Sequence, residues 1–301
     1  MAAPEVLDRI PRLSGVPRSV EELPGGLTNR NYKVTTPSGS YVVRVWASDG
    51  SLLGIDRDAE HANSVAAAHA GVGAPVHDYL PDLGVLVVGY LPGRTFTEAD
   101  LHDPANLPRV ALACRRLHAG PRFVRDFDMF EIQRRYLAIV RERGYRLPPR
   151  YLDFMPLVAE IRKCLAVRDE GTVPCNNDLL PGNILDDGEH LRLIDYEYAG
   201  NNDPCFELGN IWSESALPLG HLEELVTAYY GRPLRNKIAR ARLQGLMSKY
   251  GWTLWASIQD GANDSIDFDF WSWGMEKYDR AVAEFTGPGL ARLMEEATRT
   301  D

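Results

Sequence analysis

The sequence predicts an α+β chain of two lobes, a small antiparallel-sheet lobe over residues 1–92 followed by a larger, mainly helical lobe over 93–301. Three observations carry this expectation. The first ninety residues alternate apolar and polar side chains with period two, interrupted by turn residues. From Asn106 onward apolar residues recur at helical spacing, and several of these runs stop at a glycine. Between the two regimes lies "LPGRTFTEADLHDPANL", whose Pro, Gly and helix-capping residues suit a connection between lobes.

Taken in order, "GGLTNRNYKVTT" and "YVVRVWA" flank the turn "PSGS" and predict an antiparallel hairpin. "IDRDAEHANSVAAAHAG" is an Ala-rich helix that begins at Asp56 and is closed by Gly71. "VHDYL" and "VLVVGYL" predict two further strands around the turn "PDLG", giving the order strand, strand, helix, strand, strand. Helices are then expected in "LPRVALACRRLHAG", "DMFEIQRRYLAIVRERG" and "YLDFMPLVAEIRKCLAVRDEG". Three more follow, in "HLEELVTAYYG", "LRNKIARARLQGLMSKYGWTLWASIQDGAN" and "WSWGMEKYDRAVAEFTG". No repeat or low-complexity segment interrupts them.

Composition narrows the function classes. A chain of 301 residues, 45% hydrophobic and 25% charged, is ordinary for a folded protein and long enough for a sizeable core. Its net charge of -9 argues against nucleic acid as a partner. The same charge fits a cationic substrate, although solubility explains it equally well. Cys114, Cys164, Cys175 and Cys205 form no C-x-x-C pair and read as reduced core residues. No H-E-x-x-H points to zinc. The start "MAAPEVLDRIPRL" lacks the apolar run of a signal peptide, and no stretch approaches the ~18 apolar residues of a membrane span. A cytoplasmic protein with no membrane partner is expected.

Chemistry concentrates in "PCNNDLLPGNILDDGEHLRLIDYEYAGNNDP", residues 174–204. Asp178 and Asn183 have the Asp-x4-Asn spacing of kinase catalytic loops, where Asp handles the acceptor hydroxyl and Asn holds a metal. Asp195 closes the strand-like "LRLID". One Asn and one Asp suit Mg²⁺, which takes hard oxygen ligands alongside ATP phosphates. The same residues equally suit Asx turns at the ends of a hairpin. Neither a P-loop nor a G-x-G-x-x-G is present. Gly25 and Gly26 in "PGGLTNRNY" either bring backbone N–H groups to phosphates or make a plain hairpin turn. Arg44, a cation within "YVVRVW", either pairs with Glu60 on the next helix or faces solvent at a strand edge. Trp252 and Trp255 share a helix face, and Trp271 and Trp273 follow. These aromatics are either core or a cage for an ammonium, with Glu197, Glu207 and Glu214 supplying negative charge.

The segments "NNDLLPGN" and "IDYEYAGNNDPCFELGN" resemble the choline/ethanolamine kinase family, in the aminoglycoside phosphotransferase-like group of the protein-kinase-like fold. The resemblance extends from "GGLTNRNY" to "IDFDFWSWGMEKYDRAVAEF". It implies ATP and Mg²⁺ as cofactors, Asp178 as catalytic base, and Asn183 and Asp195 as metal ligands. It implies Arg44 in the usual lysine place, and adenine on the backbone of Val88 to Leu91, including Tyr90. It also places Trp252, Trp255 and Trp273 in a choline cage with Glu214 beside it. The implied activity is phosphorylation of the hydroxyl of choline or a related amino alcohol. Ethanolamine or an aminoglycoside is the alternative acceptor. Asn176 stands where the family usually has His, which favours a second alternative, a non-catalytic nucleotide binder. A homodimer is an option the sequence leaves open.

Overall fold

The structure, a computed structural model, describes residues 3–24, 29–46, 50, 52–263 and 266–300. Gly25 and Gly26 therefore lie outside the described residues. The chain opens with α1 (Ala3–Asp8), then β1 (Ser19–Leu23), β2 (Asn29–Thr36) and β3 (Gly39–Trp46). After α2 (Arg57–His69) come β4 (Val76–Leu80) and β5 (Val85–Gly89). The five strands form one antiparallel sheet in the order β1-β2-β3-β5-β4. Alternation does what period-two patterning predicts: Tyr32, Val34, Tyr41, Val43, Val85 and Val87 point to one face. There they meet Val6, Leu7, Ile10 and Leu13 of the N-terminal segment in a single apolar core. β1 and α1 are additions to the sequence reading. "SVEEL" is an exposed edge strand with no alternation to detect, since even Val20 faces solvent.

Helix α2 begins where a capping residue allows it. The Asp56 carboxylate accepts from the Ala59 N–H at 3.0 Å, and Gly71 takes the left-handed conformation beyond the last turn. The far end of this helix packs against the second lobe. Ala67 and Val72 share a core with Phe96, Leu101, Leu117 and Leu193, and the Leu193 N–H donates to the Val72 carbonyl at 3.0 Å. So α2 spans the junction and carries Glu60 into it.

The larger lobe runs through β6 (Arg94–Thr95), α3 (Glu98–His102), α4 (Leu107–His118), α5 (Met129–Arg143) and α6 (Met155–Ala166). The short strands β7 (Val173–Cys175), β8 (Ile184–Asp186), β9 (Leu191–Leu193) and β10 (Gly200–Asn202) follow. They make two small sheets, β6-β8-β9 and β7-β10. Helices α7 (Pro204–Glu214), α8 (Leu219–Tyr230), α9 (Arg235–Ala262), α10 (Phe270–Thr286) and α11 (Leu290–Thr298) complete the lobe. The long α9 is its axis, packed by α5, α7, α10 and α11 and buried on nearly every side. It crosses α7 where two glycines meet. A Cβ on Gly245 would lie 2.6 Å from the Gly209 carbonyl, so only glycine permits this backbone approach. Among the described residues no helix is long and apolar enough to cross a membrane.

Candidate active site

The segment 174–210 is folded by its own polar side chains. Asn176 is fully buried, and its amide makes three bonds: Nδ2 donates to the carbonyls of Ile194 (3.1 Å) and Asp195 (2.8 Å), and Oδ1 accepts from the Asp178 N–H (3.1 Å). This residue thus ties the Asp178 loop to the Asp195 turn. Asn177, also fully buried and left-handed at φ 67°, donates to the carbonyls of Cys175, Tyr198 and Gly200. The loop is gripped from below by α7. Both carboxylate oxygens of Glu207 accept loop N–H groups, from Asn176 at 2.8 Å and Asn177 at 2.7 Å. One turn on, Asn210 accepts from the Leu179 N–H at 3.0 Å. Glu207, which the sequence groups with the substrate side, instead holds backbone; its regular spacing from Asp203 and Asn210 on one helix face was the available signal.

Asp178 and Asn183 are joined directly. Asn183 Nδ2 donates to the Asp178 carbonyl at 2.7 Å, and the Ile194 N–H donates to the Asn183 carbonyl at 3.0 Å. With its nitrogen engaged, the Asn183 Oδ1 makes no hydrogen bond among the described residues. The Asp178 carboxylate makes no hydrogen bond among the described residues. Burial, with the negative charges of Glu214, Asp195 and Glu197, pushes its pKa well above the ordinary aspartate range, and Lys277 offsets this only in part.

Asp195 faces the sheet lobe from a left-handed backbone at φ 64°. Its carboxylate accepts from Arg44 Nη1 at 2.7 Å, and the same nitrogen donates to Glu60 at 2.8 Å. The sheet lobe, α2 and the catalytic-loop region are therefore connected through one guanidinium. Arg57, which sequence reasoning missed, doubles this link. It donates to Glu60 and Glu197 at 2.7 Å each and to Asn29 at 3.1 Å. An Arg between two acidic residues at a helix start reads as surface in a sequence, but this one is buried. Glu197 is placed here, with Arg57 and Asn29, and away from the tryptophans with which the sequence groups it. Glu60, Asp195 and Glu197 bring ligand atoms within 4.8 Å of one another. Burial raises the pKa of Glu60 and of Asp195, while Arg44 and Arg57 hold that of Glu197 below its ordinary value despite its burial. Three carboxylates against two guanidiniums leave a net negative charge. Asp195, the most exposed of the three, and the free Asn183 Oδ1 are a hard-oxygen donor set that fits Mg²⁺.

Along the segment expected to meet adenine, the Tyr90 N–H is committed to Ser40 at 3.0 Å and the Gly89 N–H to Pro75 at 2.7 Å. Val88 pairs with Val42 inside the sheet. Leu91 follows the strand end, and its N–H has no backbone partner among the described residues.

Trp252 and Trp255 are buried in the main core at 4% and 6% exposure. Trp255 Nε1 donates to the Tyr198 hydroxyl at 2.8 Å, and Trp252 packs edge-on to the same tyrosine. Trp273 is half-buried and packs edge-on to Trp255. The Lys277 ammonium lies 4.0 Å from its ring centroid and bonds the buried Glu214 carboxylate. Trp271 turns elsewhere, beneath the Arg146 guanidinium.

Replacing Asn176 by Ala leaves the Asp178 N–H and two carbonyls unpaired. A loss of about 1–3 kcal/mol is expected for each buried group left unsatisfied. Thermal melts should show that loss, and kcat should fall more than the KM of either substrate changes. An unchanged kcat would show that the tie between the two loops is dispensable.

Comparison with known proteins places the chain among phosphotransferases. The profile described as phosphotransferase enzyme family matches residues 19–246. The chain is 28% identical to Protein LicA of Haemophilus influenzae over 274 residues, 85% of this chain and 77% of that protein. It is 31% identical to human ethanolamine kinase 2 over 267 residues, 79% of this chain and 68% of that protein. Its structure is similar to that of a choline/ethanolamine kinase family protein from Mesorhizobium loti, with TM-score 0.86, 30% identity and 98% of each chain covered.

Proposed function

The chain belongs to the phosphotransferase enzyme family, and from that premise we propose that it transfers the γ-phosphoryl group of ATP to the hydroxyl of choline or a closely related amino alcohol. One observation carries the reading: the proposed base, both proposed metal ligands and the proposed phosphate-facing cation belong to a single bonded network, Asn183–Asp178–Asn176–Asp195–Arg44–Glu60. Asp178 orients the acceptor hydroxyl and takes its proton as the oxygen attacks phosphorus and the bond to the ADP oxygen breaks. Asn183 and Asp195 would hold Mg²⁺, which when bound neutralises phosphate charge. Arg44, fixed by Glu60, faces the phosphates, and the Leu91 N–H is the donor offered to adenine. Gly25 and Gly26 belong to the same reading as the phosphate loop. A cationic acceptor offsets the repulsion that Glu214 imposes on Asp178, so the base ionises more readily with substrate in place.

Choline is favoured as acceptor by the tryptophan cluster that reaches the site through Tyr198. Trp273, half-buried and already carrying the Lys277 ammonium on its ring, is the most exposed of the three, and Trp252 and Trp255 are buried in the core. A second reading, ethanolamine, is favoured by Glu214 Oε1, a buried acceptor without a partner among the described residues. A primary ammonium donates hydrogen bonds, and a quaternary one does not. Trp273→Ala tests the choice better than either buried tryptophan, whose loss costs about 3–5 kcal/mol of stability. A cation over a Trp face contributes about 0.5–2 kcal/mol, so KM for choline should rise about 2- to 30-fold, with KM for ATP unchanged. Assays compare choline, ethanolamine and 3,3-dimethylbutan-1-ol, the neutral isostere of choline. Equal turnover of the isostere would reduce the tryptophans to core, and preference for ethanolamine would give the site to Glu214. ATP binding without turnover of any amino alcohol or aminoglycoside would favour the non-catalytic alternative.

A further inference from the structure

A cavity of about 430 Å³ opens in the helical lobe between α7, α9, α10 and the start of α11. It shares no lining residue with the network around Asp178. Its walls hold Arg242, Lys249 and Arg280 against one carboxylate, Glu284. That carboxylate is already engaged, since Glu284 Oε2 accepts from Arg242 Nε at 3.1 Å and Nη2 at 2.8 Å. The Lys249 side chain is only 5% exposed, and its ammonium lies 3.9 Å from Glu284, beyond hydrogen-bond distance. The ammonium also lies 4.1 Å from the Trp212 ring centroid. Arg280 forms no ion pair among the described residues; its Nε donates to the Glu276 carbonyl at 3.3 Å.

Two further donors point the same way. The Trp212 indole N–H is buried and has no acceptor among the described residues. Helix α11 starts at the cavity wall with Gly289 as its cap residue; the Leu290 N–H donates to the Gly287 carbonyl at 3.4 Å, and no side chain caps the N–H groups of Ala291 and Arg292. Burial, with Arg242 and Arg280 facing it, draws the Lys249 pKa down to about 8, while Glu284 and Glu214 act in the opposite direction. A desolvated Lys249 and an unpaired indole N–H, beside two guanidiniums and one engaged carboxylate, are costly unless an anion joins them. Leu217, Leu290 and Leu293 line the remaining wall.

We propose that this cavity is a second ligand site, which takes a small organic phosphate with its anionic group on Lys249, Arg280 and the α11 N-terminus and its apolar body against the leucines. The volume is that of a small-molecule pocket. The test is calorimetric melting of the intact chain with inorganic phosphate or phenyl phosphate, against sodium chloride at matched ionic strength. Both phosphates should raise Tm, phenyl phosphate at lower concentration, and chloride should not. Lys249→Met and Arg280→Gln should each weaken the apparent affinity about tenfold or more and leave KM for ATP unchanged. If Lys249→Met fails to fold, Arg280→Gln, which alters only the partly exposed wall, decides alone. A shift that persists undiminished in the variants places phosphate elsewhere, in the nucleotide cleft for example, and overturns the proposal. So does an equal shift with chloride, or no shift with either phosphate.

Discussion

Asp178→Asn is expected to lower kcat by about 10²- to 10⁴-fold, the usual range for loss of a general base, and to raise Tm at neutral pH. The two effects have one origin. Burial and the charges of Glu214, Asp195 and Glu197 hold the Asp178 pKa well above its ordinary value. A carboxyl whose folded pKa is raised binds its proton more tightly in the folded chain. Its contribution to stability is therefore present below the unfolded pKa of ~3.9 and is lost as pH rises through the folded value. At neutral pH the wild-type chain bears that cost, and the neutral amide removes it without breaking any side-chain hydrogen bond among the described residues. The Tm difference between variant and wild type should grow from acid to neutral pH, while ATP affinity by calorimetry stays near wild type. A variant that melts lower at neutral pH would contradict the electrostatic account. One with unchanged kcat would take Asp178 out of the mechanism.

What the sequence made legible follows from which residues leave a periodic trace. The sheet is readable because β2, β3 and β5 each bury alternate residues against one core. The edge strand β1 buries little and leaves no such trace. Around the site, Asp178, Asn183 and Asp195 stand out because polar residues at fixed spacing interrupt short apolar runs. Their supports do not: Arg57, Asn176, Asn177 and Glu207 act through backbone groups and partners as far as 140 residues away, as in the Arg57–Glu197 bond. The tryptophans show the opposite limit. A shared helix face at i, i+3 normally tells core from solvent, but α9 is enclosed by helices on nearly every side, so its periodicity carries no such information. Position in the chain misled for Glu197 as well. Its neighbour Tyr198 meets the tryptophans, whereas Glu197 turns toward Arg57, because the two sit at the centre of a turn closed by the Ala199 N–H on the Tyr196 carbonyl at 3.1 Å, where adjacent side chains leave in different directions.

Asp195→Ala should remove the Mg²⁺-dependent part of ATP binding, and Asn183→Ala should only weaken it. The ranking rests on charge. The Asp195 carboxylate is ionically engaged in the resting protein, with Arg44 at 2.7 Å, whereas Asn183 offers a neutral amide oxygen. Truncating one member of a hydrogen-bonded charge pair costs about 2–5 kcal/mol, equivalent to a loss of about 30-fold or more. A neutral contact contributes about 0.5–1.5 kcal/mol, equivalent to about 2- to 10-fold. Arg44 keeps Glu60 when Asp195 is removed, so metal-free ATP binding should survive in that variant. Asn183→Ala carries a different penalty, because its Nδ2 holds the Asp178 carbonyl at 2.7 Å. Its kcat should therefore fall beyond what the metal affinity explains, even at saturating Mg²⁺. Titration calorimetry with ATP, with and without Mg²⁺, separates the two, and turnover at saturating metal completes the comparison. Equal losses of metal-dependent affinity in the two variants would contradict the ranking, and full recovery of Asn183→Ala by excess Mg²⁺ would show that its bond to the Asp178 loop does not position the base.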